Sequence, residues 1–250
     1  MKKFELTGEF KMLFGRKLFR IRALVNFRDV ESGDLGGYVE KEENLSHDGN
    51  AWVYGNAWVC DNAQVCDNAR VYDNARVGGK ARLHENAQVC GNAWVHANAQ
   101  VYGNAQVCGN AWVYGNAQVR DNAQVRDNAW VCGNARVYDN ARVYDNAQVY
   151  DNAWVYDNAW VYGNAQVCSD AQVCSDADYA CVKGFGSEFR TTTFFRTTNG
   201  NIGVKCGCFY GTLDAFRGKV KETHGDTKYA QEYMMISELM KLHFAGGKQQ

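Results

Sequence analysis

Residues 51–80 read AWVYGN AWVCDN AQVCDN ARVYDN ARVGGK, and the same six-residue period runs on to AQVCSD at 171–176. The tract holds 21 hexads in 126 residues without an insertion or deletion. Ala occupies the first position of every hexad, and Val the third of all but one, where Leu83 replaces it. Position four is mostly Tyr or Cys, position five mostly Gly or Asp, and position six nearly always Asn.

Each position has a physical role. In Ala-x-Val the outer two residues face one side of an extended chain and the middle residue faces the other. One side is therefore always small plus β-branched, which suits a narrow interior. Gly-Asn or Asp-Asn then turns the chain, because Gly and Asn tolerate positive φ. Apolar spacings of two and four do not make a 3.6-residue stripe, so the tract is not helical. A three-residue strand and a turn, repeated, predict an all-β solenoid.

The consensus resembles the hexapeptide repeat of left-handed parallel β-helices. The resemblance implies three hexads per triangular coil, hence stacking of residues 18 apart and about seven regular coils. At about 4.8 Å per strand, seven coils make a rod of about 34 Å. The flanks, LFRIRALVNFRDVESGDLGGYVEKEENLSHDGN before the tract and GCFYGTLDAFRGKVKETHGDTKYAQEY after it, resemble segments that frame hexapeptide tracts in phage and bacterial proteins. That likeness implies architecture and a phage-type product, and leaves the chemistry open.

The expected organisation is a strand-rich N-terminal cap with a degenerate first coil (1–50), the β-helix (51–178), and a small α+β cap (179–250). Val39 and Leu45 keep phase with the Ala column and extend the first coil backward. Asn199-Gly200 marks a tight turn between short strands. Thr212 reads as the N-cap of one helix, and Tyr229, Tyr233, Ile236, Met240 and Phe244 keep the spacing of a second.

Composition excludes more than it identifies. With 27 Lys and Arg against 28 Asp and Glu, the net charge of −1 gives no footprint for nucleic acid or a membrane surface. No apolar run approaches the roughly 18 residues of a membrane span. The charged start, MKKFELTGEFKMLF, has no continuous apolar region, so the expected location is cytoplasmic and the ten Cys are expected as reduced thiols. No Cys pair with a nearby His completes a zinc set, so no metal or other cofactor is expected. Cys90 and Cys108 stack one coil apart. Asp121, Asp139 and Asp157 also stack, and their repulsion calls for a neighbouring Arg or a cation. The Asn columns can hydrogen-bond along their length.

An 18-residue coil lines up Trp58, Arg76, Trp94, Trp112 and Trp130 on one outer face. Such an aromatic row reads as an interface, and the resemblance implies a homo-oligomer, with a trimer favoured. A ligand site under the C-terminal cap would draw on Phe189, Arg190, Arg196 and Tyr210. The expected function is a non-catalytic scaffold or binding protein, in one version a phage product that sequesters a host protein or a small signalling ligand. The alternative implied by the resemblance is an acyltransferase using a CoA thioester, for which the catalytic candidates are His84 and His96. Ranks of Trp, Gln and Arg do not fit an ice-binding array.

Overall fold

The computed structural model describes residues 1–245, so the last five residues of the expected C-terminal domain lie outside it. The hexads build a parallel β-solenoid. Each contributes a two-residue strand at positions two and three, and the 21 strands form three parallel sheets of seven rungs. Register is 18 residues throughout the tract: Trp94 lies over Trp112 and Val95 over Val113. Backbone bonds cross every step, as in Trp94 N to Ala111 O at 2.9 Å and His96 N to Val113 O at 3.0 Å. The interior is the double column read from the sequence, with Ala93, Val95, Ala111 and Val113 fully buried like their counterparts in other turns.

The turns differ from expectation in one respect. Position five, not the Asn at position six, takes the left-handed conformation, from Gly55 (φ 56°) through Asp61 (φ 60°) to Ser169 (φ 58°). Gly and Asp alternate there because both tolerate that region. The Asn side chains instead build ladders, for example Asn86 Nδ2 to Asn104 Oδ1 and Asn104 Nδ2 to Asn122 Oδ1, both at 3.1 Å. The stacked Asp residues are compensated chiefly by amides. Asp121 Oδ2 accepts from Asp139 N and Asp139 Oδ2 from Asp157 N, both at 3.4 Å, and the same reach to the next turn's backbone recurs from Asp73 to Gly91 and from Asp145 to Gly163. Arg120 adds an ion pair to Asp121 at 3.1 Å.

The N-terminal segment extends the first sheet. Strands β1 (Phe4–Leu13) and β2 (Arg16–Ala23) form an antiparallel hairpin, β2 pairs with β3 (Leu35–Val39), and β3 joins the solenoid in parallel. That sheet therefore has ten strands and gives an eighth, incomplete turn. Here the expected phase is corrected. Val39 pairs with Val59 and Leu45 bridges Val65, so both lead the Val column. Asn50 already bonds Asn68 in the 18-residue register, which places the two extra residues within 46–49.

At the other end, strands Tyr179–Val182, Thr192–Arg196, Ile202–Cys206 and Phe209–Thr212 form an antiparallel sheet. Helices α1 (Leu213–His224) and α2 (Lys228–Ala245) cover one face of it. Thr212 Oγ1 accepts from Ala215 N at 3.3 Å and caps α1, as its sequence position predicts. On α2, Tyr233, Ile236, Met240 and Phe244 are buried while Tyr229 is exposed, so the inward stripe is shorter than its spacing suggested.

One thiol expectation is overturned. Cys90 and Cys108 form a disulfide, their Cα atoms 4.6 Å apart. Rungs stacked in register hold like residues near 4.8 Å, inside the Cα range a disulfide needs.

Candidate functional site

The outer face of the first sheet carries the predicted row, and the structure divides it. Trp58 is almost fully buried, packed with Leu18 and Cys60 beneath the β1–β2 hairpin and flanked by Leu13 and Tyr38. Trp52, a middle residue of Ala-x-Val and so on the outer side by the same alternation, is also buried, with Phe4 and Phe27 against it at ring distances of 6.3 and 5.3 Å. Both corrections have one cause: chain outside the repeat folds over the first turns. Farther along, the row is open. Trp94 meets Trp112 edge-on at 4.8 Å, Trp112 stacks on Trp130 at 5.7 Å, and Trp130 is 40% exposed. The Arg76 guanidinium lies over Trp94 at 5.9 Å. On the other two sheets, Arg136 covers Trp154 and Arg142 covers Trp160 in the same way, at 5.0 and 4.7 Å.

Between the hairpin and this row lies a pocket of about 280 Å³. Its walls are Leu13, Phe14 and Leu18 from the hairpin, Trp58 and Trp94 from the sheet, and Cys60, Gly78 and His96 from one corner column. Arg16 closes one side. Its Nη1 donates to Glu40 Oε1 at 3.1 Å, and its Nη2 lies 2.5 Å from Asp61 Oδ1. Burial opposes the charge on Asp61, but bonds from the Gly79 amide and the Cys60 thiol, together with Arg16, hold its carboxyl below the ordinary value. Burial and the adjacent Asp61 push the Cys60 thiol up to about 12, so it stays protonated at neutral pH. Glu40, Cys60 and Asp61 bring potential ligand atoms within 4.8 Å of one another. Arg16 bridges the two carboxylates of that trio, so the guanidinium already neutralises their charge.

The two His candidates sit apart on different corner columns, each flat against a Tyr. His84 stacks on Tyr102 at 4.8 Å and His96 on Tyr114 at 5.3 Å. Burial moves His96 below its ordinary value, which leaves its ring neutral at pH 7. Of the two, His96 alone lines the pocket.

The four cap residues do not converge. Phe189 is exposed, and Arg190 pairs with Glu188 at 3.4 Å. Arg196 bonds Asp178 at 2.9 Å and the Phe244 carbonyl at 3.1 Å, tying the last turn to the end of α2. Tyr210 donates to Asp170 at 2.8 Å, fastening the cap sheet to the solenoid, and it borders a small cleft of about 150 Å³ with Asn199 and Thr212.

Sequence reading missed Gly78, although the signal was present. Among the 21 hexads, Ala75–Lys80 alone has Gly at position four and Lys at position six, and Ala93–Asn98 alone has Ala at position five. Both irregular hexads border the pocket through Gly78, Gly79, His96 and Ala97.

Among the described residues no helix is long and apolar enough to cross a membrane. No curated protein matches the chain. The molecule is a β-solenoid repeat protein, and its hexads are similar to the YdcK β-solenoid repeat, matched at 63–79, 69–85, 87–103, 105–121, 129–145, 135–151 and 147–163, which together cover less than half of the chain.

Proposed function

We propose that this protein is a non-catalytic binding scaffold that works as a homo-oligomer through the outer face of its first sheet. The observation that carries the reading is the contrast along one row. Trp58 is buried with Leu18 of its own chain, whereas Trp94 and Trp112 are half-exposed and Trp130 is 40% exposed, so the same apolar row continues toward solvent. Contiguous exposed aromatic area of this kind is characteristic of interfaces. The unbroken hexads also favour a scaffold, since catalytic loops of solenoids interrupt their repeats. In this reading a trimer is the favoured assembly, and sequestration of a host protein or small signalling ligand by a phage product is its most specific form.

Light scattering of the wild type and of a Trp94→Gln, Trp112→Gln, Trp130→Gln variant tests it. The expected result is an oligomer reduced to monomer in the variant. A monomeric wild type, or an unchanged assembly in the variant, removes the proposal. The acyltransferase alternative is read separately by CoA-thioester consumption in the wild type and in a His84→Ala, His96→Ala variant; turnover lost in the variant would replace the scaffold reading.

A further inference from the structure

The corner column that borders the pocket runs Cys60, Gly78, His96, Tyr114, and its side chains stack where they are large enough, as His96 does on Tyr114 at 5.3 Å with the rings 4° from parallel. Gly78 interrupts that stack. It is the one hexad residue at position four without a side chain, and nothing in its backbone requires glycine, because its φ lies outside the positive range. A Cβ there would meet Cys60 Sγ at 3.3 Å and Asp61 Oδ2 at 3.5 Å, close but tolerable. The absent side chain instead helps to open the pocket that Gly78 lines. Rungs two apart are separated by about 9.6 Å, so the missing side chain leaves a slot one ring thick beneath the His96 face.

The walls of that slot define what fits it. Trp58 and Trp94 flank it, and Leu13, Phe14 and Leu18 of the hairpin roof it. Its polar edge holds Asp61 and Arg16, and the guanidinium is already committed to Asp61 and to Glu40 behind it, so it offers no strong anion site. Asp61 already accepts from the Gly79 amide and the Cys60 thiol on Oδ2 and pairs with Arg16 through Oδ1, which leaves its Oδ1 room for one further donor such as an amino or ring N–H group. The volume, about 280 Å³, lies just under the roughly 300–1,000 Å³ of drug-sized pockets and suits one or two fused rings. Next to Gly79, Ala97 holds φ at 61°, a conformation that an Ala adopts only at a cost.

We propose that this slot binds an uncharged, planar heteroaromatic molecule of one or two rings, which takes the place of the missing side chain at position 78 by stacking on His96. The site lies within one chain, and it shares one wall, Trp94, with the face proposed as the oligomer interface.

The test titrates the full-length protein with adenine and with benzimidazole near pH 8, using calorimetry or saturation-transfer NMR, with cyclohexanecarboxamide as a non-planar control. Gly78→Tyr restores the residue most common at position four and fills the slot. His96→Ala removes the stacking face and serves as a second variant should Gly78→Tyr fail to fold by circular dichroism. The expected result is binding of at least one planar probe to the wild type, no binding of the control, and at least tenfold weaker binding in each folded variant. Absence of binding by both planar probes, equal binding of the control, or unchanged affinity in the folded variants overturns the proposal.

Discussion

Phe194 and Phe195 are neighbours in the chain, both are fully buried, and they belong to different cores. Strand alternation turns Phe195 onto the open end of the solenoid, while Phe194 faces Phe216 of α1 at a ring distance of 6.2 Å. One strand thus seals the rod and carries the helices. Each Phe→Ala change is expected to cost about 3–5 kcal/mol, but in separate places. Phe195→Ala should raise amide exchange in the final rungs around 165–173, and Phe194→Ala should raise it in α1 and α2. Hydrogen exchange that rises in the same region for both variants would contradict the two-core arrangement.

The Asn ladders give a second prediction. Asn104 donates to Asn122 and accepts from Asn86, so it holds two rungs at once. Asn158, at the end of the same ladder, accepts a single bond from Asn140. Side-chain hydrogen bonds contribute about 0.5–1.5 kcal/mol net when solvent competes little, and less at an exposed corner. Asn104→Ala should therefore lower stability by about 1 kcal/mol, and Asn158→Ala by roughly half of that. Denaturant midpoints measured at constant m-value check the ordering.

The inner and outer sides of the rod were legible for different reasons. Ala and Val recur with no exception beyond Leu83, and a strict period leaves one way to bury them. The inner face is therefore legible in the residues themselves, while three hexads per turn is what the resemblance to hexapeptide-repeat β-helices implies. Trp52 and Trp58 hold outward positions of the hexad, and their burial comes from Phe4, Phe27 and Leu18, residues with no place in the repeat. Gly and Asn are the turn residues that the sequence marks as tolerating positive φ; the Gly of the Gly-Asn hexads does adopt it, and in the Asp-Asn hexads the Asp does so in place of the Asn. The pocket was the reverse case. Gly78 and Ala97 stand out in a bare alignment of the hexads, but a departure from a pattern becomes a cavity only once the hairpin is known to roof it.

Lys3 supplies a pH prediction. Its ammonium is buried and donates to the carbonyls of Ala51 at 2.9 Å and Gly49 at 3.3 Å. Burial lowers its pKa from 10.5 to about 8, partly offset by Asp48. The unfolded chain keeps this proton up to about 10.5, so between pH 8 and 10.5 it binds more protons than the folded chain, and this group's contribution to stability rises with pH. Below pH 8 the cost of burying the charge is present in full. The elevated Cys60 thiol acts in the opposite sense above pH 9, which is why a comparison is needed. The stability of the wild type relative to Lys3→Met is expected to increase from pH 8 to pH 10; a flat or falling difference would refute the assignment.

The last prediction concerns Cys90 and Cys108. Of the ten Cys, these two form the disulfide and the other eight are free thiols. Thiol titration in denaturant should count eight groups before reduction and ten after it. The bridge closes a loop of one turn, and loop-closure entropy places its contribution at up to about 3 kcal/mol. The rungs themselves do not depend on it. Gln88 pairs with Gln106 and Val89 with Val107 in the register seen throughout the tract, and other columns stack Tyr on Tyr or His on Tyr with no covalent link. Reduction, or a Cys90→Ala, Cys108→Ala variant, should therefore lower the unfolding midpoint while leaving the β-sheet circular dichroism unchanged. A loss of β signal on reduction would show instead that the bond organises the turns, and a count of ten thiols without reductant would show that the pair stays open.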